Sequence, residues 1–407
     1  MSEPAARALV ADLHVHYPMH VLSGDRDVTL GRMVRVRRRA GAGSRARGAI
    51  LWLASRLLNY RSWDAGPRVT ADFLAAGGVR VALSVLYSPF DEMDLGERYG
   101  APPTPGYFGR LLEQLEQVED EIGAHASATV VHDEAELDRA LGDGVVGLVH
   151  CVEGGFHLGP TPADVDANVT ALAARGVAYV TLAHLFWRRV AANAPAIPFL
   201  PDPLYDLLFP QKAGSGLTEL GEAAVRAMYR ERMLIDVAHM RGDALAETFE
   251  LLDALDRESG AAPGAHPVIA SHSGYRFGRQ TYNLDDDAVL RIAARGGVIG
   301  LILAQHQLND GIRKRTTTFE ESFEVIARHA DRLRELTGSH EHTAVGSDFD
   351  GFIKPTMGGL ERSSDLARLP AALRDRYGPE DAERILSGNV LRVLRATLRP
   401  AAPPAPR

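Results

Sequence analysis

The chain has 407 residues, 45% of them hydrophobic, enough for one large core. Its 53 acidic against 45 basic residues give a formal charge of −8, which argues against nucleic acid as a general partner. One cysteine, Cys151, excludes an intramolecular disulfide and suits a reducing compartment. The opening stretch MSEPAARALV is too polar and short for a secretory segment, and no apolar run reaches membrane-spanning length, so a cytoplasmic protein without a membrane partner is expected.

Nine runs read as strands: residues 8–14, 79–86, 127–131, 145–152, 177–183, 233–238, 267–271, 297–303 and 342–347. They are rich in β-branched and small apolar residues and alternate with helical patterns such as 216–231, 242–258, 284–295 and 317–337, as in a parallel α/β fold. The run at 127–131 follows the Glu-rich helical stretch 107–122 and ends in no ligand, so it reads as an accessory element. The other eight specify a (β/α)8 TIM barrel, a single domain over residues 1–398. Two insertions are expected. Residues 18–66 carry the basic run RMVRVRRRAGAGSRAR and read as a solvated face. Residues 185–215, rich in Pro and aromatics, follow the fourth barrel strand and are placed to shape a pocket. The tail 399–407 reads as disordered.

Five strands stop at metal-binding side chains: His14 and His16, Glu153, His239, His272 and Asp348. Strand C-termini converge on one face of a barrel, so residues distant in sequence can meet there around one or two ions. The two-residue strand period sets Asp12, His14 and His16 on one face, Cys151 with Glu153, Val268 and Ala270 with His272, and Ala344 and Gly346 with Asp348. His239 breaks the period relative to Asp236, which requires a bend. Cys151 reads as a buried structural cysteine, and His20, His125, His132, His157, His306, His329, His340 and His342 as surface or loop residues.

The ordered series DLHVHYP, VEGG, YVTLAH, LIDVAH, VIASHS, GSDFDG and SGNVLRVL resembles the renal (membrane) dipeptidase family of zinc peptidases over nearly the whole chain. The resemblance implies an amidohydrolase-like barrel with two zinc ions per chain that hydrolyses a dipeptide whose C-terminal residue is D or L. By motif it implies Glu153 bridging the ions, His14 and His16 on one, His239 and His272 on the other, Asp348 beside the bridging water, and His184 on the substrate and its oxyanion. Imidazole and carboxylate donors suit zinc. A homodimer is left open.

Three departures bear on the substrate. The family's first motif reads His-x-Asp, where this chain has His14-Val15-His16; the second imidazole removes a negative charge, which makes the metal pair more electrophilic or alters its occupancy, and if one site is weakened it is the one at His14 and His16. Tyr282 stands where the family has an arginine for the dipeptide carboxylate, leaving Arg276 and Arg279 nearby and Arg188 and Arg189 in the loop after His184 as replacements. That loop, LFWRRVAANAP, also diverges. The expected activity is therefore hydrolysis of a dipeptide or related amide, with a non-dipeptide amide or lactone as the alternative and a catalytically silent binding barrel as the weakest.

Overall fold

Parallel strands run in chain order as β1 (Val10–Val15), β2 (Val79–Leu86), β3 (Ala128–Val130), β4 (Val146–Glu153), β5 (Tyr179–Thr181), β6 (Leu234–Asp236), β7 (Val268–Ser273), β8 (Val298–Leu301) and β9 (Thr343–Val345). They are seen in a computed structural model that describes residues 9–22, 67–92, 100–197, 200–211, 214–351 and 355–398. The sheet order is β2-β1-β9-β8-β7-β6-β5-β4-β3, and an additional β2–β4 pairing closes an eight-stranded ring that leaves β3 outside, paired only to the start of β4. The accessory reading of 127–131 holds, and the closed (β/α)8 barrel is the fold expected. Most of the 18–66 insertion and the tail 399–407 lie outside the described residues. Among those described, no helix is long and apolar enough to cross a membrane.

Helices form where the apolar period and the caps agree. Thr318 accepts from the Glu321 amide to start Phe319–Thr337, and Asp285 accepts from the Ala288 amide to start Asp286–Ala294. The barrel interior is a buried cluster with members from all eight ring strands, among them Leu13, Leu83, Cys151, Tyr179, Leu234, Ile269, Val298 and Ala344. The opposite strand faces, with Val15, Ala82, Val152, Ile235, Ala270 and Ile299, pack in the layer beneath the helices.

Membership of these two layers corrects the simple strand period. Leu13 lies inside although it alternates with His14, and Ala270 lies outside although the period groups it with His272. Both strands slip register just before their histidine: β1 between Asp12 and Val15 against β2, and β7 between Ala270 and Ser273 against β8. One extra residue on the bulged strand re-aims the side chains that follow it. Each bulge thus turns inward a histidine whose parity would have turned it out.

The β7 bulge drives the Ser271 carbonyl toward its neighbours. A Cβ at Gly300 of β8 or at Gly346 after β9 would lie 2.0 Å from that oxygen, so both positions require glycine. Gly346→Ala should destabilise the fold by about 1–3 kcal/mol through overpacking and weaken metal binding by displacing Ser271 and His272. Urea unfolding and metal analysis check this; a variant with unchanged midpoint and metal content would show that the bulge relaxes freely.

Candidate metal centre

The side chains at the strand ends meet. Glu153 at the end of β4 lies, through Oε1, 3.5 Å from His14 Nε2, 3.6 Å from His239 Nε2 and 3.5 Å from His272 Nε2. Its Oε2 lies 3.3 Å from His16 Nε2 and 3.1 Å from His184 Nε2. The His14 and His16 Nε2 atoms are 3.3 Å apart, those of His239 and His272 2.9 Å. Asp348 Oδ1 is 3.1 Å from His16 Nε2. All of these residues are buried.

Two of them arrive by strained backbone. His239 does not continue β6: the strand ends at Asp236, a turn closes from the Met240 amide to the Val237 carbonyl, and His239 takes a left-handed φ of 63°. Asp348, beyond β9, has φ 56° and donates its amide to the His14 carbonyl. Left-handed non-glycine residues cost on the order of 1–3 kcal/mol each and concentrate at functional sites. The 185–215 insertion braces the His239 turn, since the Ala194 amide donates to the His239 carbonyl.

Hydrogen bonds on the far side of the rings set their tautomers. Ser271 Oγ donates to Asp236 Oδ2 at 2.6 Å, so its lone pairs face His14 Nδ1 at 3.0 Å and His272 Nδ1 at 2.9 Å. Tyr179 donates its hydroxyl to the Leu13 carbonyl and also faces His14 Nδ1 at 2.9 Å. Both histidines therefore carry their proton on Nδ1 and turn a bare Nε2 to the centre. Bare nitrogens facing each other and Glu153 Oε1, a buried oxygen without a hydrogen-bond partner among the described residues, call for a cation between them. The spacings agree, because donors about 2.0–2.1 Å from a tetrahedral zinc lie roughly 3.3 Å from one another. The residues fit a metal. His14, His16 and Glu153 form one three-donor group; Glu153 and His239 also lie close to His184, whose two ring nitrogens both face carboxylates.

Charge follows the same geometry. Burial pushes Glu153 up, but His184, His14 and His16 outweigh it and hold the carboxyl well below its ordinary range. Burial lowers His14, His239 and His272 well below the usual imidazole value. His16 goes the other way: burial lowers it, yet the Asp348 and Glu153 carboxylates raise it to about 10. Asp348 itself is raised to about 6 by burial. His184 also ends above its usual value, with Glu153 and Glu92 overcoming burial.

Tyr282 packs edge-on against His239 with ring centroids 4.9 Å apart and donates its hydroxyl to the His272 carbonyl at 2.7 Å. The arginines expected near substrate are engaged elsewhere. Arg276 donates to the Asn283 and Thr281 carbonyls and pairs with Asp285, Arg188 is buried among the Asp91, Glu92, Ala101 and Pro102 carbonyls, and Arg189 bonds the Gly100 carbonyl. Arg279 is exposed. Among the described residues no arginine or lysine pairs with Glu153 or Asp348. The sequence reading missed Ser271, Tyr179 and Glu92; Ser271 was within reach, standing beside His272 in the motif VIASHS.

Residues 54–403 match the model of the membrane dipeptidase family, peptidase family M19. The chain belongs to that family. It is a metal-dependent hydrolase of this class. The match begins beyond β1, so His14 and His16 lie outside it. Over 182 residues the chain is 30% identical to Dipeptidase 3 of Rattus norvegicus, an alignment spanning 44% of this chain and only 33% of that protein. Two solved structures share the fold at 20% identity. One is a dipeptidase of family M19 (TM-score 0.69, covering 97% of this chain and 99% of that one). The other is a metallopeptidase from Rhodobacter sphaeroides liganded with a phosphinate mimic of L-Ala-D-Ala (TM-score 0.68, covering 96% and 100%).

A metal binding at His16 must displace the proton that Asp348 and Glu153 hold there. Affinity for a metal at His16 should accordingly rise with pH, by up to about tenfold per unit between roughly pH 6 and 9. Competition against a chromophoric chelator measures it, and an affinity flat or falling over that range would remove His16 from the ligand set.

Proposed function

We propose that this chain hydrolyses the amide bond of a dipeptide or dipeptide-like substrate with two zinc ions, held by His14, His16 and Glu153 on one side and by Glu153, His239 and His272 on the other. The observation that carries this reading is the approach of four imidazole Nε2 atoms to one carboxylate, at 3.3–3.6 Å. Bound there, the ions supply an activated water at neutral pH and a polarised scissile carbonyl.

The chain's own groups handle the protons. Asp348 takes the proton of the attacking water and passes it to the departing amine, a task suited to a carboxyl raised to about 6. His184 turns both ring nitrogens to carboxylate oxygens, Glu92 at 2.8 Å and Glu153 at 3.1 Å, and carboxylates only accept, so both nitrogens carry protons. Its Nε2–H is the donor for the oxygen on which negative charge develops. Tyr282 walls the His239 side, where an arginine would have met a terminal carboxylate.

That substitution supports a second reading, a bulkier or less anionic amide in place of a simple dipeptide. Arg276, Arg188 and Arg189 are already bonded to carbonyls or Asp285, which leaves Arg279 as the replacement cation of the expected four. Zinc-loaded enzyme assayed against L,L and L,D dipeptides, N-acyl amino acids and lactones separates the readings; efficient cleavage of simple dipeptides that survives Arg279→Ala would remove the argument for a less anionic substrate. Asp348→Asn should keep its metal while losing about 10²–10⁴-fold in turnover, because the amide cannot accept the water's proton. Loss of metal in that variant would make Asp348 a ligand instead, and unchanged turnover would exclude it from the chemistry.

A further inference from the structure

Glu92 belongs to no motif of the strand ends, yet its carboxylate is buried beside the site. It closes the short helix Pro89–Glu92 after β2, while the groups it meets come from the loop after β5 as well as its own. Oε2 lies 2.8 Å from His184 Nδ1 and accepts from the Tyr87 hydroxyl at 2.5 Å; Oε1 accepts from the Phe186 amide at 2.9 Å. Arg188 Nη1 holds the same turn from behind, donating to the Asp91 and Glu92 carbonyls at 2.7 and 3.0 Å. The carboxylate is thus fixed by donors from two loops before the imidazole is counted.

That arrangement decides how the ring sits. A carboxylate only accepts, so the His184 nitrogen facing it is an Nδ1–H, and the line from Glu92 through the ring leads to Nε2, 3.1 Å from Glu153 Oε2. Tyr87 and His239 stand edge-on to the ring with centroids at 4.5 and 4.6 Å and resist its rotation. We propose that Glu92 is a positioning residue of this site: by accepting the Nδ1 proton of His184 it fixes the ring plane that aims Nε2–H at the oxyanion. This rests on His184 acting on the substrate carbonyl. Groups orienting a functional histidine from behind typically change activity by about 10–100-fold when altered.

The substitution Glu92→Gln is close in shape but cannot satisfy every neighbour. With the amide oxygen toward His184 and Tyr87, the NH2 group opposes the Phe186 amide; reversed, it opposes Nδ1–H. In the zinc-loaded full chain with ¹⁵N-labelled histidine, the imidazole N–H resonance that His184→Gln removes should shift or vanish in Glu92→Gln. With the amide that the wild type cleaves fastest, Glu92→Gln should lose about 10–100-fold in kcat with KM little changed and zinc content intact. Adding it to His184→Gln should cost nothing further. Glu92→Asp, which keeps the charge but withdraws it from Nδ1, repeats the test if the amide variant does not fold. A resonance unmoved in the Glu92 variants, or a double variant whose loss is the product of the two single losses, would overturn the proposal. Wild-type turnover by His184→Gln would instead refute the role given to His184, and the proposal with it.

Discussion

Glu153 Oε1 sits buried, without a hydrogen-bond donor among the described residues, facing the Nε2 atoms of His14, His239 and His272 at 3.5–3.6 Å. Two of those nitrogens are bare because Ser271 and Tyr179 occupy the protons on the opposite ring atoms. Lone pairs aimed at one another in a buried space are costly unless a cation lies between them. The surrounding architecture supports that cluster. Asp236 orients Ser271, whose hydroxyl serves one histidine from each proposed ion, and the insertion after β5 braces the turn that presents His239.

Bringing these groups together requires departures from regular strands. Bulges in β1 and β7 swing His14 and His272 inward, and left-handed residues swing His239 and Asp348 over the barrel mouth. Each distortion is matched by a local accommodation. The bulge in β7 is tolerated because Gly300 and Gly346 leave room for the Ser271 carbonyl, and the Asp348 conformation is tied down by the hydrogen bond its amide donates to the His14 carbonyl.

The sequence made the barrel, its accessory strand and the converging residues legible, because parallel strands buried on both faces leave apolar runs and ligands stand where those runs stop. It misled on the route by which they converge. A two-residue period has no means of registering an inserted residue, so it set Leu13 opposite His14 and Ala270 beside His272, whereas past the bulges Leu13 shares the inner face and Ala270 lies on the outer one. Glu92 was invisible for another reason: its partners His184 and Phe186 are more than ninety residues away, and no local pattern marks a carboxylate that closes a four-residue helix. The arginines were legible as residues but not as partners, since carbonyl groups, which bind Arg188 and much of Arg276, leave no signature in sequence.

The second imidazole at position 16 alters the electrostatics that a carboxylate would give. His16 holds a proton between Asp348 and Glu153 when no metal is bound, so proton and ion compete for one position. In the proposed two-ion site, such competition would make one ion easier to lose without changing the scaffold for the other, with Glu153 common to both. The most direct test is anomalous diffraction at the zinc edge from crystals of the zinc-loaded protein. The account predicts two peaks about 3.5–4 Å apart, both against the Glu153 carboxylate. Zinc bound in positions that leave Glu153 without a metal contact would contradict it.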